Sequence, residues 1–184
     1  MKRTFDIVMS ALLLLIFSPI MIGTAIAVRL DSPGKALYTQ TRVGRGLRPF
    51  RIYKFRSMVA DADKIGGHST HKGDARVTKV GRFIRKTSLD ELPQLLNVLK
   101  GDMSLVGPRP DVPAQESQYE PYEWIKRHRV RPGITGLAQA TLRSAAKPGE
   151  RTRLDLEYVD TASVWRDIVI LGQTARQVLG RGGY

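Results

Sequence analysis

The sequence predicts a mainly helical α+β protein, with an N-terminal membrane helix leading into a small basic domain of helices and short strands. Three observations carry this. Residues 7–28 form an uncharged apolar run. Leu92, Leu95, Leu96 and Leu99 recur at helical spacing, and residues 164–179 close the chain with an amphipathic pattern. Two short β-leaning runs, 36–41 and 50–55, flank the Gly- and Arg-rich stretch 43–49.

Composition narrows the function classes. The 184 residues suit one domain, and an apolar share of 42 % is enough for a core. Cysteine is absent, which removes disulfides, thiol nucleophiles, Fe–S clusters and Cys-based zinc sites. Only His68, His71 and His128 could serve a His-rich metal centre, and His68-Ser69-Thr70-His71 lacks a third ligand and a helical setting. No Walker A pattern occurs, and Gly44-Arg45-Gly46 lacks the third glycine of a dinucleotide fingerprint. The net charge of +13 points to an anionic partner: nucleic acid, a lipid surface or a phosphorylated substrate. Almost all of it lies beyond residue 28, because the first segment carries only Lys2, Arg3 and Asp6.

The apolar run is 22 residues long, about 33 Å as a helix, enough for a bilayer core of about 30 Å. It is longer than the hydrophobic region of a signal peptide, although Ala25-Ile26-Ala27 imitates a cleavage site. Ser18-Pro19 interrupts its middle. Pro19 cannot donate to the carbonyl of Leu15 and its ring pushes the helix into a kink, and the Ser18 hydroxyl can bond an upstream carbonyl and deepen the bend. Lys2 and Arg3 precede the run, while Arg29, Lys35, Arg42 and Arg45 follow it. A crossing helix puts one positive flank outside; a hairpin keeps both in the cytoplasm. Local physics leaves a Pro-kinked span and a re-entrant hairpin both open.

Asp31-Ser32-Pro33-Gly34 is a turn that ends this segment. After the two β-leaning runs, residues 59–64 suggest a short helix and 66–74 a polar loop. Residues 77–85 return to partial order, and the Leu92–Leu99 pattern stops at Gly101. Residues 104–106 suggest a short strand before the stiff loop Gly107-Pro108-Arg109-Pro110. A mixed aromatic and basic helix is expected over 119–130, broken by Pro132-Gly133. Residues 143–150 read as loop and 154–159 as a helix start. In the last helix Val164, Ile168, Leu171 and Val178 are expected on one side, capping the core or lying on the membrane interface.

The chemistry concentrates in Arg85-Lys86-Thr87-Ser88-Leu89-Asp90-Glu91-Leu92-Pro93-Gln94. Its plainest reading is a helix start, with Ser88 and Glu91 as a capping box. Pro93 opposes that register, so the helix is expected to begin later, with Asp90 near the cap and Pro93 in its first turn. Two adjacent carboxylates then stand where a phosphate could bind, beside Arg85 and Lys86, and Asp90 with Glu91 could hold Mg²⁺ through oxygen ligands. An aspartate with the usual pKa near 3.9 is ionised at neutral pH and can attack phosphorus without a general base. Arg109, fixed between prolines, offers a planar fork for phosphate. Lys54 and Arg56 alternate on an extended segment and are expected to share a face.

These residues resemble the monotopic phosphoglycosyl transferases, also called bacterial sugar transferases. The resemblance rests on KRTFDIVMSALLLLIFSPI, YKFRSM, Arg76-x-Thr78-x-x-Gly81 with Arg85, SLDELPQLLNVLKGDMSLVGPRP, RPGITGLAQ and LDLEYV, in that order over nearly the whole chain. It implies a re-entrant membrane helix broken at Ser18-Pro19 (residues 1–30) packed with a membrane-associated catalytic domain with amphipathic interface helices (31–184). That domain would face the cytoplasm from the bacterial inner membrane. It also implies a Mg²⁺-dependent two-step reaction. Asp90 would attack the β-phosphate of a UDP-sugar and expel UMP, and the phosphosugar would pass to a polyprenol phosphate, undecaprenyl phosphate being the expected acceptor. Glu91 matches the second member of the acidic dyad, and Lys54, Arg85, Arg109 and Asp155 match further polar positions of the family's site. The chain reads as the bare catalytic unit, without the extra N-terminal spanning helices of some relatives.

A competing class is a non-enzymatic, membrane-anchored basic protein that binds anionic lipid or nucleic acid. Tyr119, Tyr122 and Trp124 among Lys126, Arg127 and Arg129 would serve it. It has no use for adjacent acids in that setting, so no nucleic-acid partner is expected.

Overall fold

The computed structural model describes residues 1–62, 73–142 and 149–180, with the backbone alone for 178–180. Helix α1 (Lys2–Asp31) is followed by strands β1 (Leu37–Val43) and β2 (Pro49–Phe55), then helices α2 (Lys79–Lys86) and α3 (Gln94–Lys100). Next come β3 (Ser104–Val106), α4 (Pro121–Arg127), β4 (Gly133–Thr135), α5 (Leu137–Thr141), α6 (Glu150–Thr161) and α7 (Val164–Gly180). The protein is mainly helical with two small sheets among the described residues, as the sequence predicts.

Helix α1 runs uninterrupted through Ser18 and Pro19, where the sequence suggests a break. The Ser18 hydroxyl donates to the Leu15 carbonyl at 2.8 Å, the acceptor that Pro19 leaves without its backbone donor. Asp6, Ser10, Thr24 and Val28 form a buried stripe, while Val8, Leu15, Ile16, Ile22, Ile26 and Leu30 are more than half exposed.

Both ends of α1 are tied to the same domain. At the N-terminal end Asp6 Oδ1 accepts from Ser104 Oγ (3.0 Å) and Leu105 N (3.1 Å), and Lys2 pairs with Asp167. Arg3 donates to the carbonyls of Val98 and Leu99, capping the C-terminus of α3. At the other end Arg56 donates to the carbonyls of Ser32 and Pro33, both at 2.6 Å, and Asp31 accepts from Val80 N at 3.0 Å.

Two cores divide the domain. The larger gathers Ile52, Leu95, Val98, Met103, Leu105, Val106, Tyr158 and Ile170, covered by Phe5, Met9, Leu13 and Leu14 of α1. The smaller joins Val28, Phe55 and Ile84, with Met21, Ala25 and Leu89 against it.

Strands β1 and β2 form an antiparallel hairpin that pairs Tyr38 with Lys54 and Val43 with Pro49. Strand β3 pairs in parallel with β4, which the sequence reads only as a helix break at Pro132-Gly133. Glycine permits that pairing. A Cβ on Gly133 would lie 2.1 Å from Gly107 N, and one on Gly107 would lie 2.3 Å from the Arg131 carbonyl.

Other expectations shift by a few residues. The helix expected over 119–130 spans Pro121–Arg127, and the one starting near 154 begins at Glu150. Of 59–64, only 59–62 are described, and there Ala62 N closes a turn on the Val59 carbonyl. His68, His71 and most of the 66–74 and 143–150 loops lie outside the described residues. Helix α7 is rotated from the expected face: Ile168 is 44 % exposed, and Asp167 and Ile170 face inward. The partners of Asp167, Lys2 and Tyr158, draw that side of the helix into the core.

Candidate active site

The acidic dyad lies on a 3₁₀ turn, Leu89–Glu91, between α2 and α3. The Ser88–Glu91 capping box, which Pro93 opposes, is not formed. Ser88 makes no side-chain cap bond and takes a left-handed conformation (φ 57°), reversing the chain out of α2. Pro93 is the N-cap of α3, so this helix starts later than Ser88, as expected, and later also than the expected register with Asp90 near the cap and Pro93 in the first turn. Leu89 anchors the turn in the smaller core, beside Val28 of α1.

Strand β2 supplies the first cation. Asn97, fully buried on α3, accepts from Tyr53 N at 3.0 Å and donates to the Arg51 carbonyl at 2.8 Å, so it occupies the free edge of β2 and fixes α3 against it. That register brings Lys54 Nζ to Glu91 Oε1 at 2.7 Å. Arg109, from the loop after β3, reaches the same oxygen at 3.0 Å. Among the described residues, Glu91 Oε2 and both Asp90 oxygens accept no hydrogen bond, which leaves three of the dyad's four carboxylate oxygens open.

The two acids titrate apart. Burial would raise Glu91, but Arg109 and Lys54, by charge and by hydrogen bond, hold it at about 2. Burial and the neighbouring Glu91 charge push Asp90 up to about 6, against the pull of Lys54, Arg85 and Arg109. The ordinary aspartate value assumed from sequence is therefore corrected upward, because burial and the Glu91 charge outweigh the pull of the three cations. At pH 7 roughly nine tenths of Asp90 is still ionised. Burial lowers Lys54 from the usual lysine value, and the Glu91 charge opposes this.

The remaining predicted site residues divide. Arg85, on α2, stands within electrostatic reach of Asp90. Arg56 is not turned to the dyad: its guanidinium is engaged with the Ser32 and Pro33 carbonyls at the end of α1. It lies one residue beyond β2, so the alternation that would align it with Lys54 has ended. Asp155 is buried on α6 and bonds Arg127 Nε at 2.9 Å. Arg127 also pairs with Asp111 and donates to the Arg109 carbonyl at 2.7 Å.

Sequence reasoning missed Asn97 and gave other roles to Arg127, in a basic face for lipid or nucleic acid, and to Arg42, in a positive flank; Arg42 donates to the Pro110 carbonyl at 3.0 Å. An asparagine inside a leucine-rich helix and an arginine in an aromatic helix are the only signals they leave in the sequence.

The donor set suits magnesium. Mg²⁺ takes one or two carboxylates and completes its shell with water and substrate phosphates. Two adjacent acids with three open oxygens match that habit, and no cluster of three or more His, Cys, Asp or Glu occurs among the described residues.

The sequence pattern of a family described as bacterial sugar transferase matches residues 1–181. The chain is 46 % identical over 185 residues to the UDP-glucose:undecaprenyl-phosphate glucose-1-phosphate transferase of Caulobacter vibrioides, covering 97 % of this chain and 69 % of that protein. It is 47 % identical over 179 residues to the Escherichia coli K12 protein of the same name, covering 93 % of this chain and 38 % of that one. It is 44 % identical over 185 residues to a UDP-N-acetylgalactosamine-undecaprenyl-phosphate N-acetylgalactosaminephosphotransferase of Aeromonas hydrophila, covering 97 % and 43 %. The chain thus spans less than half the length of two of these three relatives.

Proposed function

This chain belongs to the bacterial sugar transferase family, and we propose that it transfers a sugar 1-phosphate from a UDP-sugar to undecaprenyl phosphate, releasing UMP. The reaction would open glycoconjugate or exopolysaccharide assembly. One observation carries the mechanism: Glu91 takes both neighbouring cations, and Asp90 beside it keeps an unbonded, largely ionised carboxylate.

An Asp90 oxygen attacks the β-phosphorus of the donor. The bond from that phosphorus to the bridging oxygen breaks, its electron pair leaves with UMP, and an aspartyl phosphosugar remains. A phosphate oxygen of the lipid then attacks the same phosphorus and breaks its bond to Asp90. The carboxylate is regenerated and undecaprenyl diphosphate-sugar is formed. Lys54, Arg85 and Arg109 hold the anionic donor, with Arg109, 43 % exposed, best placed to meet it. Glu91, pinned by Lys54, keeps the turn and its neighbour in place. Asp90 and Glu91 would also hold Mg²⁺, which supplies neutralisation of the diphosphate charge when bound.

The membrane reading follows from α1. A helix of thirty residues is about 45 Å long if straight, and a bilayer-crossing helix has its ends on opposite sides. Here both ends are bonded to one basic domain, which supports a monotopic protein whose helix enters and leaves the same, cytoplasmic leaflet of the inner membrane. Such a placement lets a soluble donor and a lipid phosphate meet at one dyad.

The test is UMP release by detergent-solubilised protein from a panel of UDP-sugars with Mg²⁺ and undecaprenyl phosphate. Turnover lost with EDTA and in Asp90→Asn supports the reading; silence across the panel from folded protein overturns it.

A further inference from the structure

The loop that carries Arg109 is gripped at three successive carbonyls. Arg127 Nη2 donates to the Arg109 carbonyl (2.7 Å), Arg42 Nη1 to that of Pro110 (3.0 Å), and Val43 N to that of Asp111 (2.9 Å). Arg127 also pairs with the Asp111 side chain, so it holds this loop at two points. Its own place is fixed from behind by Asp155, whose Oδ2 accepts from Nε at 2.9 Å and lies 2.9 Å from Nη2 as an ion pair. Both side chains are 2 % exposed, which keeps them from solvent and substrate alike.

We propose, on the basis of the function proposed above, that Arg127 and Asp155 are positioning residues: Asp155 orients Arg127, and Arg127 holds the Arg109 backbone so that its guanidinium meets Glu91 and the donor phosphate. The chain of contact is continuous, from α6 through α4 and the Gly107–Asp111 loop to the dyad. A planar fork with five donors is needed to serve a carboxylate behind and a carbonyl and carboxylate in front, and lysine cannot do this. Asp155, expected from the resemblance to bind substrate, acts two residues removed from it.

The test is a double-mutant cycle on the full chain in detergent. Arg127→Lys and Asp155→Asn are each combined with Arg109→Gln, and turnover per folded protein is measured. Each single variant is expected to lose on the order of tenfold, because a misplaced Arg109 no longer meets the charge. Each double variant is expected to be no worse than Arg109→Gln alone, because the positioning residues act only through Arg109. Losses that multiply, or variants that only melt earlier at unchanged turnover, overturn the proposal. Asp155→Asn leaves Asp111 to hold the guanidinium, so the cycle does not depend on Arg127→Lys folding.

Hydrogen exchange of residues 107–112 reads the same claim without activity. Faster exchange there in both variants, with α3 unchanged, supports positioning, and unchanged exchange overturns it. If the wild-type protein releases no UMP, the proposed function falls and exchange still decides the role of Arg127.

Discussion

Two charged clusters in this protein are built from the same parts and behave as opposites. In the first, Arg127 stands between Asp111 and Asp155, and both carboxylates are bonded to it behind walls that leave Arg127 and Asp155 2 % exposed. In the second, Lys54 and Arg109 converge on one carboxylate, Glu91, which is 20 % exposed, and Asp90 receives neither. In the first cluster both carboxylates have the guanidinium as partner and hold the structure, although burial still raises Asp111 and Asp155 from the usual aspartate value. The second is unequally shared: Glu91 is over-supplied, and Asp90 carries a charge that burial and its neighbour both oppose. Buried polar groups left unmatched are costly, and they recur where chemistry is done.

The contrast predicts opposite responses to mutation. The largest effect is expected for Asp90→Asn: UMP release falls by about a thousandfold or more, while the melting temperature at neutral pH rises. The sign follows from linkage. Asp90 has a folded pKa raised from 3.8 to about 6, so its contribution favours folding at low pH and is lost as pH rises through that window. An uncharged isostere removes this penalty at pH 7. Calorimetry and a UMP assay on the same preparation check both halves.

In the first cluster the expectation reverses. Arg127→Met leaves Asp111 and Asp155 buried without their cation, and destabilisation by about 3–5 kcal/mol is expected from chemical denaturation.

A smaller effect separates the clusters by pH. Turnover in Mg²⁺ is expected to fall about tenfold per unit once pH drops below the Asp90 midpoint, which the metal shifts down from its metal-free value of about 6. In a ¹³C carboxyl titration, the Asp90 midpoint is expected near 6 without metal and lower with Mg²⁺. A midpoint unmoved by Mg²⁺ would count against the dyad as its site.

The smallest effect lies at the hinge between α2 and the dyad. Ser88→Gly relieves a left-handed residue (φ 57°) and is expected to stabilise the fold by up to about 1 kcal/mol, read as a shift in melting temperature.

The two clusters also differ in how far the sequence discloses them. Asp90 and Glu91 are adjacent in the chain, and Pro93 and Gly101 mark the helix behind them, so that cluster is legible as a local pattern. The hairpin of β1 and β2 shows itself by β-leaning runs around a Gly- and Arg-rich turn. Arg127, Asp111 and Asp155 meet across 28 residues of sequence between Arg127 and Asp155 alone, with no spacing rule to connect them. The parallel pairing of β3 with β4 hides for the same reason, since Gly133 reads locally as a breaker and is needed only because Gly107 comes close. Arg56 misled because alternation was carried one residue past the end of β2, where the Ser32 and Pro33 carbonyls just after α1 claim it. At Pro19 the helix continues, and the Ser18 hydroxyl takes the Leu15 carbonyl, as the sequence suggests.

The most direct test of Asp90 as nucleophile needs no acceptor. Wild-type protein mixed with a UDP-sugar and Mg²⁺, in the absence of any lipid phosphate, is followed by UMP assay and intact-mass spectrometry. About one equivalent of UMP per protein is expected. The protein should gain the mass of a sugar phosphate, lose it on adding undecaprenyl phosphate, and show none of this as Asp90→Asn. UMP release that requires the acceptor from the start, with no adduct on the protein, would contradict the account.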